Sequence, residues 1–452
     1  MERSQRIIVV GGNAAGMSAA SAAKRINKSA EVIVLEKDGY ISYATCSLPY
    51  FISGDVKDFE QLIVLTPDVA EKERGIKVLL HKEVIDIDVE KGKVSVKDHN
   101  DGKEEEYGFD TLVLALGASP IRPDVPGIDS EGIFTIRTLK DGLMIKEFIE
   151  KTRPKDAVIV GGGYIGIEMS ESLRKRGINV TIVEKMDRIL GTMEEEITQS
   201  VEEILKKHNV RILKNTSLFG FGTMNKRVTS VITDAEEILT DMVILAIGVK
   251  PNSEIALRAG ITLGTANAIA VDENTRTNIE NVFAAGDCAE SFHLVTGKKV
   301  YIPLGTTANR QGRIAGENAS GKRSLFKGVL GTAMTKVFEL EVARTGISSI
   351  EAQREGIDFI KVTITGSSRS RAYPAGKTIR ITYIVDKKTG LLLGAQMVGE
   401  EGVALRIDTL ASCIHNRMTV HDVASIDLGY APPFATVWDP ILIAANEAIK
   451  RL

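Results

Sequence analysis

Two stretches of the chain carry the same order of apolar and polar positions. Each starts with a run of β-branched residues, passes through a glycine-rich turn into a segment of helical composition, and ends in a second β-branched run followed by glutamate. A short continuous apolar run predicts a buried strand, and a glycine turn predicts the start of the following helix. Residues 5–37 and 156–185 therefore predict two units of one design, each with strand, turn, helix and strand.

The glycine turn of each unit is typical of a dinucleotide-binding site. The first turn reads Gly11, Gly12, Asn13, Ala14, Ala15 and Gly16, and the second reads Gly161, Gly162, Gly163, Tyr164, Ile165 and Gly166. Glycine lets the backbone approach a pyrophosphate, which the amides and the positive end of the helix stabilise. Asn13 stands in place of the middle glycine, so the backbone approach in the first turn is expected to differ slightly.

A glutamate closes each unit at the point where a ribose is expected. Glu36 and Glu184 follow the second strand, where a carboxylate accepts hydrogen bonds from ribose hydroxyls. Glu184 repels the 2'-phosphate of NADPH, which favours NADH at the second site. Lys185 and Arg188 follow closely and can accommodate that phosphate, so the use of both coenzymes stays open. Lys37 is assigned to the first site together with Glu36.

Three further apolar runs end in glycine and predict strands that complete the two units. Residues 112–117 and 243–248 match each other, and residues 282–287 end in glycine and aspartate. Residues at the carboxyl end of a buried parallel strand face the ligand crevice. We therefore assign Gly286 and Asp287 to a cofactor site. Ala115, Gly117 and Gly248, at the ends of the two matching strands, are further cofactor candidates.

The pattern changes at about residue 326. Alternating apolar and polar positions over 378–385, followed by a polar turn at 386–390, predict a third domain of the α+β type. The predicted fold class is α/β, with two Rossmann-like three-layer domains and this C-terminal domain. The expected bounds are 1–120 with 246–325 for the first, discontinuous domain, 121–245 for the second, and 326–452 for the third.

The bulk composition restricts the partners of the protein. The chain has 452 residues, 43% hydrophobic and 26% charged, so it can form several large cores. A formal net charge of -3 and a pI near 6.2 give no bulk attraction to nucleic acid or to an anionic membrane. No apolar run approaches the roughly 20 residues that span a bilayer. We expect a cytoplasmic protein with a small-molecule substrate, without a nucleic-acid partner, membrane association or metal site.

Cys46 is the leading candidate for chemistry. It follows the first nucleotide unit, and the other two cysteines, Cys288 and Cys413, are distant in sequence. A lone thiol beside a dinucleotide site suggests redox chemistry, and any disulfide that Cys46 forms is expected to use a partner from outside the chain. Cys288 follows a predicted strand end and Cys413 lies in an apolar helical stretch, so both are expected to be packing residues.

Taken together, these features resemble the FAD- and NAD(P)H-dependent disulfide reductase superfamily along the whole chain. Residues 11–16 with Glu36 resemble the FAD-adenosine site, residues 161–166 the nicotinamide-nucleotide site, and residues 285–287 the flavin-ribityl motif. The resemblance implies FAD and NAD(P)H as cofactors. It also implies a dimerisation domain from residue 326 onward, and hence a homodimer. The single Cys46 resembles the branch of the superfamily that uses one cysteine.

Three local features resemble coenzyme A disulfide reductases within that branch. They are the segment 42–50, Tyr373 directly before a proline, and Tyr430 in a Tyr-Ala-Pro-Pro segment. The NADH oxidases and peroxidases of the branch carry a histidine where this chain has Ala14. The resemblance therefore favours a disulfide over oxygen as the electron acceptor.

The resemblance implies reduction of coenzyme A disulfide, or of mixed coenzyme A disulfides, by NAD(P)H through a Cys46–S–S–CoA intermediate. Tyr430 and Tyr373 are implied to reach the active site of the partner subunit and to act on the departing coenzyme A thiolate. Trp438 is implied either to stack on the adenine of coenzyme A or to fill the subunit interface. The residues implied to bind coenzyme A are Ser18, Arg25, Ser42, Thr45, Arg74 and Trp438.

Other functions stay open at this point. The same scaffold serves NADH-dependent polysulfide, persulfide or sulfur reductases, in which Cys46 accepts sulfane sulfur. An NADH oxidase is a further alternative. A fourth is a redox-responsive flavoprotein without enzymatic activity, which binds another protein.

Overall fold

The computed structural model describes residues 4–452. The first quarter of the chain holds β1 (Arg6–Val10), α1 (Ala14–Ile26), β2 (Glu31–Leu35), α2 (Leu48–Ser53), α3 (Pro67–Arg74), β3 (Ile76–Leu79), β4 (Lys82–Asp88), β5 (Lys93–Asp98), β6 (Glu104–Gly108) and β7 (Thr111–Leu114). The middle holds β8 (Ala118–Pro120), β9 (Ile133–Thr135), α4 (Leu139–Thr152), β10 (Asp156–Val160), α5 (Tyr164–Lys175), β11 (Asn179–Val183), α6 (Glu195–Lys207), β12 (Val210–Leu213), β13 (Leu218–Met224), β14 (Arg227–Thr233), β15 (Glu237–Leu239), β16 (Met242–Leu245), β17 (Val249–Pro251) and α7 (Glu254–Arg258). The remainder holds β18 (Val282–Ala284), β19 (Ser291–Phe292), β20 (Lys299–Val300), α8 (Gly305–Ala319), β21 (Ala333–Val337), β22 (Leu340–Gly346), α9 (Ser349–Arg354), β23 (Phe359–Ser367), β24 (Thr378–Asp386), β25 (Leu392–Gly399), α10 (Val403–His415), α11 (Val420–Ala424) and α12 (Pro440–Ile449).

The first sheet is parallel and buried. Its strand order is β18, β7, β1, β2, β3, and every neighbouring pair is parallel. Strands β1, β2 and β7 consist largely of buried isoleucine, valine and leucine, as expected when both faces of a sheet are covered. The carboxyl ends of the strands share one edge of the sheet, so residues 11–16, 36 and 285–287 all follow strands at that edge.

The second sheet repeats the first one strand for strand. Its order is β9, β16, β10, β11, β12, again with parallel neighbours, so β10, β11 and β12 correspond to β1, β2 and β3. Each unit also contains a three-stranded antiparallel meander, formed by β4–β6 in the first and β13–β15 in the second. The prediction of two Rossmann-like domains is confirmed, and the repeat includes whole sheets as well as the glycine turns.

Helices α1 and α8 pack closely against each other beside the first sheet. A Cβ atom on Gly312 would collide with the carbonyl oxygen of Ala15, and one on Gly316 would collide with that of Ala19. A larger residue at either position would force the two backbones apart. The contact joins the start of the chain to residues 305–319, which is why the first unit is assembled from two separate parts of the sequence.

The C-terminal region is built on an antiparallel sheet with the order β21, β22, β25, β24, β23. Helices α10 and α12 pack on this sheet. The fully buried Tyr383 lies in the shared core, where its hydroxyl donates a hydrogen bond to the carbonyl oxygen of Ile441 over 3.1 Å. An antiparallel sheet packed with helices is the α+β domain that the sequence predicted.

Buried polar contacts tie the C-terminal domain to the second nucleotide unit. Arg344 donates to the carbonyl oxygen of Thr192 over 2.9 Å and to the carboxylate of Glu351 over 2.7 Å. Glu194 accepts hydrogen bonds from the amide of Ser349 over 2.7 Å and from its hydroxyl over 2.8 Å. Breaking such contacts would leave buried charges unpaired, so they hold the second unit against the C-terminal domain.

The chain passes between the two nucleotide units through a short antiparallel ribbon, β8 with β17. The ribbon lies near residues 120 and 250, close to the bounds expected from the sequence. The domain bounds themselves stay a prediction.

The helices of the described chain are short. The helix α8 has 15 residues, whereas a membrane-spanning helix needs roughly 20. Within residues 4–452, no helix is both long and apolar enough to cross a bilayer.

Candidate functional site

The first glycine turn and Glu36 form one hydrogen-bonded unit. Gly11 adopts a φ of 102°, which favours glycine, and the amide of Gly12 donates to Oε2 of Glu36 over 2.6 Å. Oε1 of Glu36 accepts from the amide of Asp38 over 2.9 Å. Burial raises the pKa of Glu36, and the two amide hydrogen bonds counteract this rise. The carboxylate is fixed just beyond β2, where the sequence predicts a ribose acceptor, and the neighbouring Lys37 is exposed.

The second glycine turn repeats this arrangement. Gly161 adopts a φ of 107°. The carboxylate of Glu184 accepts from the amide of Gly162 over 2.7 Å and from the amide of Met186 over 2.8 Å. Lys185 is exposed, and its side chain forms no ion pair within residues 4–452. Both predicted ribose acceptors are therefore held by the same two kinds of backbone contact.

A residue with a left-handed backbone conformation donates a hydrogen bond to the second glycine of each turn. Ser42 has a φ of 45° and donates its amide to the carbonyl oxygen of Gly12 over 2.9 Å. Leu190 has a φ of 48° and donates its amide to the carbonyl oxygen of Gly162 over 2.8 Å. This conformation is uncommon outside glycine and persists where the surroundings enforce it. Each turn is thus clamped between a glutamate and a left-handed residue.

The amides at the start of the two following helices are open to an anion. The residues before α1 and α5, Asn13 and Gly163, form no side-chain cap with their helices. Asn13 instead donates from Nδ2 to Oγ1 of Thr45 over 3.2 Å. A Cβ atom on Gly163 would meet no atom within 4 Å, so space is free in front of α5. Uncapped amides at the positive end of a helix bind phosphate, so both turns fit a dinucleotide pyrophosphate.

Other predicted cofactor residues also lie at strand and helix ends. The backbone of Ala115 follows β7 so closely beside Gly11 that a Cβ atom on Gly11 would collide with its carbonyl oxygen. Gly248 adopts a φ of 111° after β16. Tyr164 and Ile165 are the first residues of α5. The hydroxyl of Tyr164 is buried, and this burial raises its pKa.

Asp287 meets an arginine at the edge of the first sheet. Its carboxylate follows β18 and forms an ion pair with Arg137 at 2.6 Å. A Cβ atom on Gly117 would lie 3.8 Å from the same guanidinium. Gly286 has a φ of 81°, and a Cβ atom there would lie 2.7 Å from that of Ala15. Arg137 comes from the connection between β9 and α4, and the sequence analysis missed it because no local pattern links it to Asp287.

Cys46 lies in a 3₁₀ turn, Thr45–Ser47, directly before α2. The residue is exposed and its thiol is free. The surrounding protein still excludes part of the water, and this burial raises the pKa of Cys46. The negative charge of Glu168 raises the pKa of the thiol further, whereas the guanidinium of Arg137 lowers it. Asp287, the ion-pair partner of Arg137, also raises the pKa, so the fraction of reactive thiolate at Cys46 depends on burial and on these three charges.

Glu168 is an acidic residue that the sequence analysis missed. It lies on α5 and accepts a hydrogen bond from the hydroxyl of Thr335 on β21 over 2.8 Å. Burial raises the pKa of Glu168, so it keeps its proton to a higher pH than an exposed glutamate. Its position in the second unit gave no sequence signal for proximity to Cys46. The residues that line a narrow cleft with it are Tyr50, Asp55, Glu171, Ser172, Lys175 and Lys336.

The two remaining cysteines are free and buried. Sγ of Cys288 lies 3.4 Å from the carbonyl oxygens of both Leu114 and Ala285, and burial raises the pKa of this thiol to about 11. Cys413 lies in α10, and burial raises its pKa too. Both thiols occupy cores, while Cys46 faces solvent.

Several residues implied to bind coenzyme A lie along α1. The hydroxyl of Ser18 donates to Oδ1 of Asn309 on α8 over 2.7 Å. Arg74, the last residue of α3, donates to Oγ of Ser21 over 3.1 Å. Arg25 is exposed near the end of α1. On α1, Ser18, Ser21 and Arg25 are three and four residues apart, the spacing of one helix face. The sequence analysis missed Asn309, the partner of Ser18. Their role in substrate binding stays a prediction.

The two candidate tyrosines lie on the surface of the C-terminal domain. Tyr430 is 47% exposed, Tyr373 39% and Trp438 62%. Phe434 and Val437 are also exposed, so the segment 430–438 presents several large apolar side chains to solvent. Neither tyrosine hydroxyl forms a hydrogen bond within residues 4–452. Their contact with Cys46 of the partner subunit stays a prediction.

Known proteins share this architecture along the whole chain. The family model described as pyridine nucleotide-disulphide oxidoreductase matches residues 5–312, and the model of its dimerisation domain matches residues 332–440. The chain is 42% identical over 444 residues to the NAD(P)H coenzyme A polysulfide/persulfide reductase of Pyrococcus horikoshii, with 98% of each chain covered. It is 37% identical over 448 residues to an NADH oxidase of Methanocaldococcus jannaschii, with 99% of each covered. The crystal structure of reduced Bacillus anthracis CoADR-RHD matches with a TM-score of 0.96 at 36% identity, over 99% of this chain and 80% of that one.

Proposed function

We propose that this chain, which belongs to the pyridine nucleotide-disulphide oxidoreductase family, reduces coenzyme A disulfide, or mixed disulfides of coenzyme A, with NAD(P)H. Family membership makes it an FAD-dependent NAD(P)H:disulfide oxidoreductase. The observation that carries the finer proposal is the exposed thiol of Cys46, because the other two cysteines are buried. A disulfide reductase without a second accessible protein thiol needs its second thiol from the substrate.

The residues present fit the two cofactors that the family implies. Glu36 and the first glycine turn would hold the adenosine part of FAD, with Asp287 at the ribityl chain. Glu184 and the second turn would hold NAD(P)H. FAD, when bound, supplies a redox centre that accepts hydride from NAD(P)H and delivers two electrons to a disulfide.

Cys46 performs the exchange with the substrate. Its thiolate attacks one sulfur of coenzyme A disulfide, so the Cys46–S–S–CoA bond forms, the substrate S–S bond breaks, and one coenzyme A thiolate leaves. Two electrons that originate in NAD(P)H then cleave the mixed disulfide into the Cys46 thiolate and a second coenzyme A thiolate. Each turnover consumes one disulfide, one NAD(P)H and one proton, and it yields two coenzyme A thiols and NAD(P)⁺.

Besides burial, which has the largest effect, nearby charges influence the protonation of Cys46. Arg137 favours the thiolate, and an ionised Glu168 disfavours it. Because the pKa of Glu168 is itself raised, a proton held on Glu168 removes the unfavourable charge beside the thiol. The proton on Glu168 and the thiolate on Cys46 therefore stabilise each other.

The proposal includes a homodimer in which Tyr430 and Tyr373 face Cys46 of the partner subunit. The match to a dimerisation domain over residues 332–440 and the exposed apolar side chains of segment 430–438 support it. A phenol hydroxyl is a hydrogen-bond donor, so either tyrosine can stabilise or protonate the departing coenzyme A thiolate.

A second candidate function is the reduction of polysulfide or persulfide. The 42% identity to the Pyrococcus horikoshii enzyme favours it. In this reaction the Cys46 thiolate attacks a sulfane sulfur, and the shortened sulfur chain leaves as an anion. Both candidates use the same thiol and cofactors, so they differ only in the group bound to Cys46.

Steady-state kinetics on the FAD-loaded protein tests the proposal. We expect turnover of coenzyme A disulfide, and a loss of at least about a thousandfold in Cys46→Ser with FAD retained, because the nucleophile is removed. Cys413→Ala is the matched control and should keep the activity. Equal activity in Cys46→Ser would contradict both candidate functions. A higher kcat/KM for polysulfide would favour the second candidate, and rapid oxygen uptake without any sulfur compound would favour an oxidase.

A further inference from the structure

A cavity lies between the second nucleotide unit and the C-terminal domain. One wall is formed by residues 186–188, 191 and 192, which follow β11, and the other by residues 348, 350, 351 and 354 of α9 and its N-cap. Its volume is about 250 Å³, which is enough for a phosphate group together with several waters. The first wall begins two residues after Glu184, the predicted ribose acceptor, so the cavity borders the ribose position.

The loop that forms the first wall is fixed to the glycine turn. Its start is held by the hydrogen bond from the amide of Met186 to Glu184. Its end is held by Leu190, which is 2% exposed and donates its amide to the carbonyl oxygen of Gly162. The amide of Met193 then donates to the carbonyl oxygen of Leu190 over 2.7 Å. The cavity is therefore built on the same groups that would hold the dinucleotide.

The cavity has an uncompensated positive charge. Asp187 pairs with Arg188 through two contacts of 3.0 and 3.1 Å, and Glu351 pairs with Arg344 at 2.7 Å. The acidic residues of both walls are thus already neutralised. Arg354 is exposed, and its side chain forms neither a hydrogen bond nor an ion pair within residues 4–452.

We propose that this cavity receives the 2'-phosphate of NADPH, and that Arg354 of the C-terminal domain is its main cation. The inference rests on the proposed function only in that the second turn binds a nicotinamide dinucleotide. A phosphate on the 2'-oxygen lies beside Glu184, whose charge opposes it, so binding needs a cation nearby. Arg188 is engaged with Asp187, and Lys185 does not line the cavity, whereas Arg354 lines it and is free to pair with the phosphate.

This assignment makes Arg354 a specificity-determining residue. The ribose of NADH carries a hydroxyl where NADPH carries the phosphate, so Arg354 should contribute to the binding of NADPH and little to that of NADH. Glu184 acts in the opposite direction because its carboxylate suits the hydroxyl. The protein therefore accepts both coenzymes through two opposed groups that belong to different domains.

Calorimetric titration of the FAD-loaded protein with 2',5'-ADP and with 5'-AMP tests the assignment. The two probes differ only in the 2'-phosphate. We expect Arg354→Gln to weaken 2',5'-ADP by about tenfold, the effect of losing one charge-assisted hydrogen bond, and to leave 5'-AMP within about twofold. Arg354→Lys should restore part of the loss. Arg323→Gln, which changes an exposed and unpaired arginine elsewhere, should behave as wild type.

An unchanged ratio of the two dissociation constants in Arg354→Gln would overturn the assignment. Parallel weakening of both probes would also overturn it, because that result indicates a structural role. The titration uses neither a disulfide nor Cys46. It therefore stays informative if coenzyme A disulfide proves not to be the substrate.

Discussion

The two glycine turns have nearly the same structure, but the segments that pack against them lead to different functional features. In each, an isoleucine lies over the second glycine: a Cβ on Gly12 would lie 2.5 Å from Ile41, and one on Gly162 would lie 2.7 Å from Ile189. The next residue in each is the left-handed one that binds the turn. Beyond it, the first unit continues into the Cys46 turn, and the second continues along the cavity that faces α9.

The duplicated frame consists of the glycine turn, the glutamate that binds it and the left-handed residue that closes it. The frame fixes the end of one segment, and the residues that follow are free to differ. In the first unit the frame holds a thiol beside the crevice, four residues after the left-handed position. In the second unit it forms one wall of a pocket between domains.

The largest expected effect comes from replacing the last glycine of each turn, because each replacement should impair a different cofactor. A Cβ atom on Gly16 would collide with the carbonyl oxygen of Gly11, and one on Gly166 with that of Gly161. We expect Gly16→Ala to lose FAD and all activity, because the first turn cannot close. Gly166→Ala should keep the flavin absorbance and lose NADH-driven turnover by roughly a hundredfold or more. Absorbance spectra and NADH kinetics of the two variants measure this difference.

The assignment of the turns would be wrong if Gly166→Ala lost FAD while Gly16→Ala kept it. Circular dichroism of both variants separates a local defect from global unfolding. A loss of FAD in both, with native secondary structure, would show that the turns do not act independently.

A smaller effect concerns the charges that the second unit places beside Cys46. Because the pKa of Cys46 is raised, its alkylation by iodoacetamide should increase with pH and reach half its maximum at a higher pH than an ordinary cysteine thiol. Glu168→Gln removes a negative charge and should lower that midpoint. Arg137→Gln removes a positive charge and should raise it. At a fixed pH below the midpoint, the rate of alkylation should rise in Glu168→Gln and fall in Arg137→Gln, each by less than about tenfold at an exposed thiol.

The matched control for these variants is Glu280→Gln. Glu280 is exposed just before β18, at the end of that strand opposite to Asp287, so its removal should leave the midpoint unchanged. Shifts in the reverse directions, or equal shifts in all three variants, would contradict the electrostatic account.

The sequence predicted the parts of the site that depend on local order. Glycine turns, buried strands and the glutamates after them have fixed spacings, so Glu36 and Glu184 could be assigned to ribose positions. In the structure both carboxylates accept a hydrogen bond from an amide of the adjacent glycine turn, and the ribose assignment stays a prediction. The fold class followed from the same patterns. The sequence gives no comparable sign of the left-handed conformations of Ser42 and Leu190, because neither residue is of a type that favours it.

The residues that escaped prediction come from distant parts of the chain. Arg137 and Glu168 reach the first unit from the second, and Arg354 reaches the second unit from the C-terminal domain. Asn309 lies in the first unit itself, but it comes from α8, far along the chain from Ser18. Their proximity depends on how distant helices and whole domains pack, which no local pattern encodes. The proposed contacts of Tyr430 across the subunit interface depend on a second chain, so local sequence patterns predict them even less.

The most direct test of the central claim is intact-protein mass spectrometry of the purified, unreduced protein. The account predicts a coenzyme A adduct on Cys46 that disappears on addition of NADH and is absent in Cys46→Ser. An unmodified Cys46 that gains no coenzyme A on incubation with coenzyme A disulfide would contradict it.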